Sequence, residues 1–109
     1  MAKVLEQQDF LRFIAGVKPK KIGQVIDAAN NEQILSLCEI AHNVLQGNVK
    51  LSPREFNKLE KYKNLIRKLG CKKIGVPAKR RALVQKGGNF LIPLLLSAVG
   101  PLVGKIFGG

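Results

Sequence analysis

Along residues 1–70, apolar side chains recur at the three- and four-residue steps of amphipathic helices, whereas from residue 89 they bunch together with almost no charge between them. Val4, Leu5, Phe10, Leu11 and Ile14 predict a first helix over about 2–15, interrupted by Gly16 and Pro19. Ile22, Val25, Ile26 and Ala29 share one face of a second, shorter helix over 20–29. The broadest stripe, through Ile34, Leu35, Leu37, Cys38, Ile40, Ala41, Val44 and Leu45, predicts a third helix capped by Asn30 or Asn31 and stopped at Gly47. Ser52-Pro53-Arg54-Glu55 then reads as a capping box, with Ser52 at the N-cap and Pro53 at the first helical position. The fourth helix it opens runs to about Leu69, burying Phe56, Leu59, Ile66 and Leu69, and Gly70 ends it.

Short connections between these segments predict an all-α fold, a small four-helix bundle over residues 1–70. Residues 71–88 carry too few apolar side chains for a packed face and read as a basic linker, with a helical turn or two forming over 79–85 on binding. Residues 89–109 form an apolar tail whose stretch from Asn89 to Gly104 has no charge. That stretch is shorter than the ~20 residues of a bilayer-spanning helix, and Gly100 and Pro101 break it. The expectation is a membrane-active helix lying in the interface through Phe90, Leu91, Ile92, Leu94, Leu95, Leu96, Val99, Leu102, Val103, Ile106 and Phe107. The competing reading makes this segment a core helix of the same domain. The lack of a polar face and the preceding linker weigh against it.

Charge divides the chain the same way. Of the 19 basic and 7 acidic residues, residues 1–49 hold five of each, residues 50–86 hold thirteen basic against Glu55 and Glu60, and residues 87–109 hold only Lys105. So concentrated a cationic block points to a polyanion, because clustered cations gain affinity by releasing counterions from nucleic acid or anionic lipid. Lys58, Lys61, Arg67, Lys68, Lys72, Lys73, Lys79, Arg80, Arg81 and Lys86 are the candidate nucleic-acid-binding residues. With only Phe56 and Tyr62 available for stacking nearby, binding is expected to be to phosphate and non-specific. The alternative is a membrane-disrupting entry or antimicrobial-like protein whose basic segment targets anionic lipid, and so small a core favours association with a partner or a second copy.

Catalysis finds little support. Cys38 and His42 lie one helical turn apart, but no Gly-rich phosphate loop, acidic pair or third orienting group accompanies them, so no enzyme is expected. Cys38, Cys71 and His42 lack metal-ligand spacing, and neither metal nor other cofactor is expected. Two cysteines in this pattern suggest a reducing compartment, with Cys38 in the core and Cys71 exposed, and the first residues lack the apolar run of a secretory signal.

The stretch Lys79-Arg80-Arg81-Ala82-Leu83-Val84-Gln85-Lys86-Gly87-Gly88-Asn89-Phe90-Leu91-Ile92-Pro93-Leu94-Leu95-Leu96-Ser97-Ala98-Val99-Gly100-Pro101 resembles the C-terminal part of the adenovirus core protein X (mu) precursor family, with its counterparts in polinton and adintovirus elements. In that family a DNA-condensing basic segment precedes Gly-Gly and a Leu-Ile-Pro-Leu-rich tail. The resemblance covers about 30 of 109 residues. It implies a minor virion or core protein, located in the virion and in the host nucleus or cytoplasm during assembly. It also implies a viral cysteine protease as partner, cutting after a large aliphatic residue, any residue and Gly-Gly. Ile106-Phe107-Gly108-Gly109 fits that pattern, and Gln85-Lys86-Gly87-Gly88 fits it except at Gln85. The chain departs from the family in its preference for Lys and in its N-terminal helices.

Overall fold

The computed structural model describes residues 2–85 and 88–104, with side chains placed as far as Ser97. Every regular element in it is α-helical: α1 (Ala2–Glu6), α2 (Gln8–Ala15), α3 (Pro19–Ala28), α4 (Asn31–Leu45), α5 (Pro53–Glu60), α6 (Lys63–Gly70), α7 (Val76–Gln85) and α8 (Gly88–Gly104). The all-α helical bundle expected from the periodicity is therefore present, with more and shorter elements.

Local chemistry sets the ends of α4 and α5. Asn30 accepts from the Gln33 N–H at 2.8 Å while the Gln33 side chain accepts from the Asn30 N–H at 2.9 Å, and Ser52 and Glu55 repeat the reciprocal box at the start of α5. At the other end of α4, Gly47 takes φ 73°, the Asn48 N–H donates to the Asn43 carbonyl and the Gly47 N–H to the Val44 carbonyl. This is a Schellman termination, and its left-handed residue explains the glycine.

Two expected helices are each divided in two. The first bends at Gln7 (φ −109°) and the fourth at Tyr62 (φ −109°), although bonds from Leu11 N–H to Gln7 O and from Ile66 N–H to Tyr62 O carry the chain smoothly onward. The second bend lets α5 pack on α8 while α6 packs on α4 and α7. The pairing of α4 on α6 depends on Gly70. A Cβ there would lie 2.8 Å from Leu45 Cδ1 and 3.3 Å from the His42 Cα.

The largest corrections concern residues 71–104. The segment expected to be a linker contains α7, which buries Lys79, Ala82 and Leu83 on one face. Pro77 is tolerated because a first-turn residue has no intrahelical acceptor for its N–H. The segment expected to stand apart as a membrane-active tail is α8, which packs against α2, α3, α4, α5 and α7 and runs unbroken through Gly100 and Pro101 to Gly104. Leu91, Ile92 and Leu95 are fully buried in the same apolar cluster as Ile22, Ile26 and Ile34. Over residues 88–97, contacts with several helices let apolar side chains be covered on more than one side, so the missing polar face does not require a bilayer. Leu94 and Leu96 are partly buried against the cluster and Phe90 is 62% exposed. Val99, Leu102 and Val103 belong to α8, and Ile106 and Phe107 lie outside the described residues. Among the described residues, no helix is long and apolar enough to cross a membrane. The boundary at residue 70 likewise disappears, since one core draws on residues from Val4 to Leu95.

Candidate polyanion interface

A side chain can neutralise phosphate only if its charge reaches solvent and is not already matched. By that test the cationic block divides. On α5 and just after it, Arg54, Lys58 and Lys61 are exposed at four- and three-residue spacing, which aligns them along one helix face. On α6, Lys63 and Arg67 are exposed one turn apart, opposite the buried Leu65, Ile66 and Leu69, and Lys68 is half-buried beside them. Lys72 and Lys73 continue the series, exposed, in the connection to α7. None of these cations forms an ion pair or side-chain hydrogen bond among the described residues. The same stretch holds two carboxylates: Glu55 is engaged in the α5 capping box, and Glu60 is exposed.

Three of the candidate residues do something else. Lys79 is 5% exposed and sits beside Cys38 in the interior. Arg80 turns its guanidinium onto the end of α3, where Nη1 donates to the Ile26 carbonyl at 2.7 Å and to the Ala29 carbonyl, and Nη2 donates to Asn31 Oδ1 at 3.2 Å. The last carbonyls of a helix lack intrahelical donors and carry its negative pole, so a cation is the natural cap. Arg81 is exposed but lines a separate shallow depression with Asp27 and Asn31. Lys86 lies outside the described residues. Lys79 and Arg80 are therefore withdrawn from the polyanion surface, and Lys63 and Arg54 are added. The signal that singles those two out is their step of four residues to Arg67 and Lys58.

No family model, curated protein or solved structure matches the chain. The site must accordingly be read from its own chemistry. Phe56 is 56% exposed and, with Leu45, Leu51 and Ile66, lines an apolar notch bordered by Glu60 and Lys63, so an aromatic face does adjoin the cations. Tyr62 is partly buried against the core.

Gly88, the first residue of α8, has its own reason to be glycine. A Cβ there would come 2.1 Å from the Leu83 carbonyl oxygen, so the α7–α8 junction depends on close backbone approach. Gly87, Gly108 and Gly109 lie outside the described residues.

Cys38 and His42 are both in α4, with the thiol 5% exposed and its pKa pushed up to about 11 by burial, against a smaller opposing effect of Lys79. A thiol so placed is a poor nucleophile near neutral pH. Cys71, expected to be exposed, is half-buried, and both cysteines are free. Among the described residues, no three His, Cys, Asp or Glu side chains converge to hold a metal ion.

Proposed function

We propose that the chain is a non-enzymatic nucleic-acid-binding protein that neutralises backbone phosphates through the exposed cations of α5, α6 and the α6–α7 connection. One observation carries this reading: Arg54, Lys58, Lys61, Lys63, Arg67, Lys72 and Lys73 are all exposed and have no acidic partner among the described residues. A surface selected only for solubility mixes both signs, whereas an unmatched cationic stripe attracts a polyanion and holds it without reading sequence. Phe56 beside the stripe supplies a stacking surface suited to unpaired bases, which extends the reading to single strands. The resemblance over residues 79–101 supports a packaged viral genome as the polyanion and the virion as the place of action.

The test is fluorescence anisotropy on duplexes of unrelated sequence across a salt series, with the quadruple variant Lys58→Gln, Arg67→Gln, Lys72→Gln and Lys73→Gln. Wild-type affinity should fall steeply with salt for every sequence. The variant should flatten the slope of log K against log salt by up to about 3.6, at roughly 0.9 per lost phosphate contact. Salt-independent binding, or an unchanged slope in the folded variant, would overturn the reading.

A further inference from the structure

The interior lysine is the least explained group in the molecule. Lys79 lies at the wall of an open cleft of about 400 Å³ lined by residues of α1, α4, α6, α7 and the α4–α5 and α6–α7 connections. Its side chain is 5% exposed, yet it makes no ion pair or hydrogen bond among the described residues. Its stem is buried, while the ammonium keeps access to the cleft and bonds no protein anion among the described residues. Cys38, which lines the same cleft, supplies no counter-charge near neutral pH, because burial pushes its thiol pKa up to about 11. Glu39 also lines the cleft, but it lies beyond ion-pairing distance of Lys79 and its Oε2 accepts from the Lys3 N–H at 3.4 Å.

We propose that this cleft binds a small phosphate monoester, with the recessed Lys79 ammonium receiving the phosphate. Lys72, exposed and without an acidic partner among the described residues, lines the same cleft and supplies a second positive charge, and the half-buried His42 imidazole supplies a ring N–H donor. Leu35 and Leu69 form an apolar wall against which the organic part of the ligand packs. The volume lies within the range of small-molecule pockets, roughly 300–1,000 Å³, so it admits a body well beyond inorganic phosphate. The geometry thus fits a phosphate carried on a compact ring system, of nucleoside monophosphate size. That phosphate can come from a free metabolite or from the 5′ end of a strand. The site shares Lys72 with the cationic stripe but is centred on Lys79, which is withdrawn from that surface, so Lys79 is the residue that separates the two.

Isothermal titration of the full chain with AMP, adenosine and inorganic phosphate tests the proposal, alongside thermal melts of wild type and Lys79→Met. Methionine retains an unbranched apolar stem and removes only the charge. AMP should bind, inorganic phosphate should bind more weakly, and adenosine should not bind measurably. Lys79→Met should weaken AMP binding at least about tenfold while melting at or above the wild-type temperature, because no ion pair or hydrogen bond within the described residues is lost and a largely buried side chain becomes apolar. Its duplex affinity and salt slope should equal those of wild type, which keeps this test separate from that of the cationic stripe. A 5′-phosphorylated oligonucleotide binding more tightly than its unphosphorylated twin, with the difference lost in Lys79→Met, identifies a strand end as the source. Equality of the two oligonucleotides together with AMP binding identifies a free metabolite. Failure of AMP to bind wild type at millimolar concentration, undiminished binding by Lys79→Met, or a Lys79→Met melt well below wild type would overturn the proposal. The last result would mean that Lys79 is already neutralised within the fold.

Discussion

Replacing Leu95 with alanine tests whether α8 is structural. Leu95 is fully buried, on a helix flanked by α2, α3, α4, α5 and α7, so its neighbours have little freedom to collapse into the space left behind. Leu-to-Ala changes at such sites cost about 2–5 kcal/mol, combining lost transfer energy with the residual cavity. For a domain of this size the total stability is about 5–15 kcal/mol, and each kcal/mol lowers the melting temperature by about 4–8 °C. Leu95→Ala should therefore melt at least about 8 °C below wild type, followed by circular dichroism at 222 nm, and its urea midpoint should fall by about 1–3 M. Phe90→Ala is the internal control. Phe90 is on the same helix but 62% exposed, and its replacement should shift stability by no more than about 0.5 kcal/mol. A tail that stood apart from the bundle would make the two substitutions equally silent. Indistinguishable melts for Leu95→Ala, Phe90→Ala and wild type would refute the placement of α8 in the core.

Two further outcomes follow from the buried and half-buried cations and the thiol. Arg80→Met removes charge-assisted bonds to the Ile26 and Ala29 carbonyls and should cost about 1–3 kcal/mol in urea denaturation while leaving duplex affinity unchanged; a loss of affinity in the folded variant would return Arg80 to the binding surface. Cys38 favours its protonated form in the fold, with a pKa raised from 9.0 to about 11, so its contribution is intact below pH 9.0 and declines as pH rises toward 11. Cys38→Ala should flatten the stability profile across that window relative to wild type, and parallel profiles would exclude the thiol as a source of the slope.

The elements that could be read from sequence are those whose signals are local. The α4 stripe and the Ser52–Glu55 box involve residues within a few positions of one another, and both formed where the pattern placed them. The α4 cap resolved to Asn30 rather than Asn31 because Gln33 completes the reciprocal pair, a second half that the N-cap residue alone does not reveal. The misread elements depend on distant partners. Lys79 and Arg80 look like solvated charges in a linear reading, but one lays its stem in the interior and the other bonds to carbonyls more than 50 positions away. Leu91, Ile92 and Leu95 carry the same hydrophobic signal in a bilayer as in a protein interior, and only the surrounding helices distinguish the two. The cationic stripe was legible as composition, but its division into free and committed charges required the tertiary structure.

The closure of the core by α8 also has a kinetic consequence. Helix α3 packs on α8, so Ile22 waits for a segment made about 70 residues after it, which at ribosomal rates of 5–20 residues per second means roughly 4–14 s. Until then the apolar face of α3 lacks the cover that α8 provides. Late long-range closure raises the contact order above that of a bundle built from neighbouring hairpins, and folding should be correspondingly slower. During that interval the nascent chain presents chaperones with an open hydrophobic surface beside a cationic one, and premature termination ahead of Leu91 would leave a product that aggregates rather than a smaller working domain.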